Sequence, residues 1–265
     1  MDYNLSDLIS SSKDIPLPQI VERLGTQREY RRELRKILME TGAAVNEALL
    51  VHYASAYEEE DTISELILLS AVLLALKNST ERAKSAASAL LEREAVYLDQ
   101  KFISSVTRLT GVDLTPLIAR EDSRELIELI VKRNLSYITS LQEQTRTRIE
   151  QTVIEAQMNN TPPAELKKQL RKVLGKEAKR ADLIADDQLE KLAAEIVGFR
   201  AEQAGMREYI WRSLMDGRER ALHHFLHGKK QNTKNPNHGD HGMLPRQPIR
   251  CRCWAQWIIS AAVNN

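Results

Sequence analysis

From about Pro18 to Phe199 apolar residues recur at helical spacing, interrupted by short polar breaks. The clearest seam runs through Ala185, Leu189, Leu192, Ile196 and Phe199. Its alternating steps of four and three residues place all five on one helical face, with Glu190, Lys191 and Glu195 on the others. Start signals recur as well. Asn78 with Glu81, and Asp122 with Glu125, fit an N-cap followed by a capping-box carboxylate. Thr161-Pro162-Pro163 fits a helix start because proline is tolerated in the first turn, where the N–H has no partner. Gly175, after Leu170–Leu174, predicts a left-handed C-terminal cap. Leu66–Leu76, broken only by Ser70, is apolar on every helical face, which predicts a deeply buried or interfacial helix. Its 11 residues fall short of the roughly 20 that a membrane span needs.

The pattern changes after Gly205. Tyr209-Ile210-Trp211 predicts a strand, and Asp216-Gly217 a turn in which Asp216 caps a short helix through Leu226, closed by Gly228. Lys229 to Pro248 has no hydrophobic period and reads as a long loop too polar to bury. Ile249, Cys251, Cys253, Ala255, Trp257 and Ile259 then alternate with Arg250, Arg252, Trp254 and Gln256, which predicts a closing strand with both thiols on its apolar side.

Composition supports a packed helical protein. The 265 residues are 42% hydrophobic and 28% charged, which favours a buried core over disorder. Ten Gly, eight Pro and 5% aromatics argue against an all-β barrel or sandwich. The opening Met1-Asp2-Tyr3-Asn4 lacks a secretory layout, and two cysteines cannot build a disulfide framework, so the expectation is a soluble protein of a reducing compartment. Charge is divided unevenly. Arg207 to Cys253 holds ten basic and four acidic residues, net +6, leaving −5 on the remainder. Five of the six histidines and both cysteines share that basic window.

The residues in and before this window carry a resemblance. Ile184-Ala-Asp-Asp-Gln188-Leu-Glu-Lys191-Leu, Gln203-Ala-Gly205, Tyr209-Ile-Trp211, Asp216-Gly-Arg218-Glu-Arg220-Ala-Leu-His223, Gly228 and Pro248-Ile-Arg-Cys251-Arg252-Cys253-Trp-Ala follow one another in order. The set resembles the phage Mu F-like minor head protein (head morphogenesis) family, which ends its domain with a Cys-Arg-Cys signature. The likeness extends more weakly upstream through Val131–Met158 and Thr161–Gly175. The chain departs from the family in having Arg218-Glu-Arg-Ala-Leu where many members carry Cys-x-x-Cys, and His227 where Asp is frequent.

The fold class is therefore mainly α: a long helical N-terminal region followed by a small α+β C-terminal domain. Residues 1–125 are helical and unassigned, 126–204 are helical and continuous with the family domain, and 205–265 form the small domain. The resemblance implies a structural and assembly protein of a tailed phage head, located in the virion, made in the host cytoplasm and present in multiple copies. Its implied partners are the portal or major capsid protein and double-stranded DNA bound without sequence preference, with no membrane. The alternative is an enzyme, a nuclease or a toxin-like effector delivered with phage DNA.

Three sets of residues bear on chemistry. His223, His227, Cys251 and Cys253 are suitable zinc ligands. With the family's additional cysteines missing, two thiols that are simply buried small hydrophobes are favoured, and no cofactor is expected. Asp216, Arg218, Arg220 and His223 could form a phosphodiester-cleaving site. The favoured reading is again structural, with Asp216 as a cap, an arginine paired to a carboxylate and His223 bonded to backbone. Lys229, Lys230, Lys234, Arg246, Arg250 and Arg252 are the candidate DNA- or partner-binding cations.

Overall fold

The computed structural model describes residues 4–9, 11–59, 65–116 and 123–261. Helices dominate: α1 (Leu24–Ala44), α2 (Leu50–Glu58), α3 (Glu65–Thr110), α4 (Arg124–Met158) and α5 (Pro163–Gln203) precede a region of short strands. Those are β2 (Glu208–Arg212), β3 (Lys230–Asn232) and β4 (Trp254–Ile259), with the short helix α6 (Ala221–Leu226) between β2 and β3. An early strand, β1 (Ile15–Pro16), completes the sheet. Among the described residues, no helix is long and apolar enough to cross a membrane.

The mainly helical chain with a small C-terminal α+β region is as expected, but two helices run further than their local signals indicate. Asn78 does not start a helix; it is an exposed position within α3. The Ser79 and Thr80 hydroxyls next to it bond back to the Leu76 carbonyl, which lets polar residues persist in a helix interior. Gly175 does not cap a helix either, because α5 continues through it to Gln203. A glycine costs a helix only about 1 kcal/mol, which a buried face on both sides outweighs. Asp122 lies outside the described residues. The start at Thr161-Pro162-Pro163 is where α5 begins.

Two compact units emerge, neither a contiguous stretch. One comprises residues 1–24, 91–130 and 187–265, and the other residues 25–90 and 131–186. These units cut across the sequence divisions at 125 and 204, since α3, α4 and α5 are too long to be confined to either.

The second unit is a helical core. Val45, Leu49, Leu50, Tyr53, Leu68, Leu69 and Val72 pack with Ile149, Val153, Ala156, Leu166 and Leu170. A π-helical turn, Val45–Leu49, joins α1 to α2 and re-aims the apolar stripe onto this core. The Leu66–Leu76 block is not buried all round: Leu68, Leu69, Val72 and Leu76 face inward, whereas Ala71 and Leu74 are exposed. The side chains of Leu66 and Ile67 lie outside the description. Arginines line this unit's surface, with Arg31 and Arg35 making two-pronged pairs to Asp186 and Asp182.

The first unit holds the sheet, of order β1-β4-β2-β3 and antiparallel throughout. Tyr209 and Trp211 point inward from β2, as period-two alternation predicts. Tyr209 lies opposite Trp257 of β4 with ring centroids 5.4 Å apart, an aromatic cross-strand pair that fixes register. β4 starts at Trp254, later than the alternation from Ile249 implies, because Arg250 has a left-handed backbone (φ 57°) and Ile249 is exposed. One of the sheet's two outer strands comes from Ile15–Pro16, paired with Ile258 and Ile259. Residues 205–265 therefore do not supply the whole sheet. Lys191, expected on a solvated face, is buried and bonds Asp187 at 2.7 Å.

Candidate functional site

The site assembles around α6. Arg220 precedes the helix in an extended conformation, and His223 and Leu226 turn inward from it. Gly228, at φ 76°, follows the helix in the left-handed conformation that ends it, as the sequence predicts. Asp216 does not cap α6. Its carboxylate is held by Arg252 (2.7 and 2.9 Å) and by Arg218 (2.6 and 3.1 Å). Those guanidinium groups, Arg252 first, keep it well below the usual carboxylate range.

His223 is buried, and its partners are side chains, not backbone. One ring nitrogen, Nε2, lies 3.1 Å from Asp240 Oδ2. The other, Nδ1, faces the Cys251 sulfur at 3.5 Å and the Cys253 sulfur at 3.6 Å. The Trp211 indole packs against the imidazole with centroids 4.9 Å apart. Ser213 completes the enclosure: its hydroxyl donates to the His223 carbonyl (2.8 Å), accepts from Trp211 Nε1 (3.2 Å) and lies 3.3 Å from the Cys253 sulfur.

The stretch Lys229–Pro248, expected to be a loop too polar to bury, instead opens with β3, and the part after it folds down with His238 and Asp240 both buried. Hydrogen bonds make that burial affordable. Gly239 N–H donates to Gln231 Oε1, Asp240 exchanges backbone bonds with Met243, and Gly242 N–H donates to the His238 carbonyl. His238 Nδ1 meets the Tyr209 hydroxyl at 2.8 Å. Burial holds the His238 imidazole below its ordinary pKa and pushes the Tyr209 hydroxyl up.

The cysteines sit on a tight turn before β4. Arg250 N–H donates to Asp187 Oδ1 (2.7 Å), Cys251 N–H to the Pro248 carbonyl, and Arg246 N–H to the Cys251 sulfur (3.4 Å). Cys253 is pulled below the usual thiol range, first by sharing a hydrogen bond with Cys251 and then by Ser213 and Trp211. Cys251 is pushed up by that same partner and by burial.

The proposed groupings fare differently. His223, Cys251 and Cys253 bring their ligating atoms within 4.8 Å of one another, forming a buried set of metal-binding type. His227 does not join them, because its Nδ1 accepts the Ser213 backbone N–H at 3.0 Å. Asp216 and His223 do not form an acid–base pair; Asp240 is the carboxylate on His223. Arg220 reaches the Ile249 carbonyl at 2.8 Å and lies 3.8 Å from Asp240. Among the six candidate cations, Lys230 pairs with Asp14 and Glu208, Arg246 with Glu22, and Arg252 with Asp216. Lys229 sits over the Phe225 ring, and Lys234 and Arg250 are exposed. Sequence reasoning missed Asp240, Ser213 and Asp187. For Asp240 a signal existed in His238-Gly-Asp240-His-Gly242, where glycines flank a polar core.

Beside the cluster is a cleft of about 30 Å³ lined by Asp216, Arg218, Arg220, His223, Arg250, Arg252 and Cys253, among others. That volume accommodates about two waters.

Residues 147–256 match the family described as phage Mu protein F like protein. Ser213, His223, Asp240, Cys251 and Cys253 all fall inside this phage Mu F-like region, together with α6 and the β2–β4 pairing. The chain is also 25% identical over 236 residues to an uncharacterized protein of Haemophilus influenzae, an alignment covering 86% of this chain and 52% of that protein. The chain thus spans about half the length of the curated relative it matches. No solved structure matches.

Proposed function

We propose that this chain is a head morphogenesis protein of a tailed bacteriophage, a minor head component located beside the portal or the inner capsid wall and contacting packaged DNA. The observation that carries the reading is the phage Mu F-like match across the whole α6, loop and Cys-Arg-Cys assembly. The site's construction supports assembly over nuclease chemistry. Asp216 is engaged by arginines and Asp240 by His223, which leaves neither carboxylate free on the side of the cleft. DNA contact would rest on Lys229, Lys234 and Arg250, because the other three candidate cations are committed to ion pairs within the fold.

Mass spectrometry of procapsids and purified virions from a phage or induced prophage carrying this gene tests the reading. Low-copy presence in the heads, and capture of the portal protein by the tagged chain, are the expected outcomes. Absence from both particles would remove it.

A further inference from the structure

The geometry points to a zinc ion bound by Cys251 Sγ, Cys253 Sγ and His223 Nδ1, with its fourth position open to the arginine-lined cleft. The argument begins with the crowding of three ligating atoms. A neutral imidazole whose Nε2–H donates to Asp240 has a single lone pair, on Nδ1. Two sulfurs converge on that one lone pair at 3.5 and 3.6 Å, so at most one S–H can point at it while the other is left to the neighbouring sulfur, and all three ligating atoms face a common centre. A cation at the centre of the three atoms satisfies them all.

The nitrogen–sulfur distances agree. With bonds of about 2.3 Å to sulfur and 2.0–2.1 Å to nitrogen at a tetrahedral angle, ligand nitrogen and sulfur are separated by about 3.6 Å. Zinc is also the metal that soft thiolates and imidazole jointly favour.

The surroundings match those of a ligand set already held in place. Asp240 on the far ring nitrogen fixes the tautomer and ring orientation, the arrangement that orients metal-bound histidines. Arg246 N–H directed at Cys251 Sγ stabilises negative charge on that sulfur. The Trp211 indole packs against the imidazole, and His223, Cys251 and Cys253 are all buried. Among the described residues no further His, Cys, Asp or Glu reaches the three atoms, and His223 and Cys253 both line the cleft. The fourth ligand is therefore a water drawn from that cleft, beside Arg218, Arg220 and Arg250. The sequence alone favours thiols that are merely buried; the placement of Nδ1 between them is what reverses that preference.

The full-length protein, purified in its reduced form without an affinity metal or chelator, should contain about one zinc per chain by elemental analysis. After chelation, added cobalt(II) should give the intense thiolate-to-metal charge-transfer band and visible bands of a tetrahedral thiolate site. Cys253→Ser and His223→Ala should lose stoichiometric metal, whereas His227→Ala should keep it. Asp240→Asn should retain the site with metal affinity weakened about 10–100-fold. The cobalt titration of the wild-type chain stands even if a variant fails to fold. Zinc missing from the native protein together with no charge-transfer band on cobalt addition would overturn the proposal, as would undiminished zinc in Cys253→Ser.

Discussion

Arg200 and Asp99 form a two-pronged ion pair inside the unit that carries the sheet, with Nε to Oδ1 at 2.9 Å and Nη2 to Oδ2 at 3.0 Å. Arg200 is 1% exposed, and its remaining hydrogen bonds go to Gln203 and Ser123. This pair ties α5 to α3.

Asp99→Ala should therefore destabilise the protein by about 3–5 kcal/mol, since it strands a buried guanidinium. Removing both charges with Asp99→Leu and Arg200→Met should recover a large part of that loss. Urea unfolding of Asp99→Leu, Arg200→Met and the double variant measures it; strictly additive losses would show that the pair is not a coupled unit.

Gly239 sits at φ 58°, and a Cβ there would lie 2.3 Å from the Met243 carbonyl oxygen and 2.7 Å from the Tyr209 hydroxyl. Gly239→Ala should cost at least about 2 kcal/mol from the combined clash and backbone strain, and should loosen the loop that carries Asp240. Gly217, also at positive φ (77°) but facing open space, is the control, with an expected loss near 1 kcal/mol. Equal melting temperatures for the two variants would contradict the packing described.

The Asp216 carboxyl should titrate below the ordinary aspartate value of about 3.9. Because its folded pKa is depressed, the stability it contributes is fully present above the unfolded value and is lost as pH falls through the lower folded one. A carbon-detected NMR titration should show the midpoint moving up in Arg252→Ala, the larger contributor, and less in Arg218→Ala. An unchanged midpoint in both would show that neither arginine holds it.

DNA binding by the full-length chain should be weak and insensitive to sequence. With three candidate cations outside ion pairs among the described residues, the logarithmic salt slope should be no steeper than about −3. Lys234→Glu with Arg250→Glu should flatten it, whereas Lys230→Ala should change it little. A slope near −5, measured by anisotropy across a salt series, would mean that the internal pairs open on binding.

The sequence by itself determined the elements whose signals are local. Helical periodicity marks the α5 seam, alternation marks Tyr209–Trp211, and Gly228 marks the end of α6, because each depends only on residues within a turn or two. It also indicated the His–Cys region, since those residue types crowd into one basic window. Element length was less legible: Asn78 and Gly175 carry genuine stop or start chemistry, but its cost is smaller than the burial gained by continuing the helix. Tertiary structure alone decided the pairing of Ile15 with Ile259, the choice of Asp240 over Asp216 as the carboxylate on His223, and the diversion of His227 to the Ser213 backbone. It likewise decided which cations are spent on Asp14, Glu22, Glu208 and Asp216. Local pattern cannot rank chemically equivalent partners; only the path of the folded backbone sets their distances, and charge and hydrogen-bond energies follow from distance.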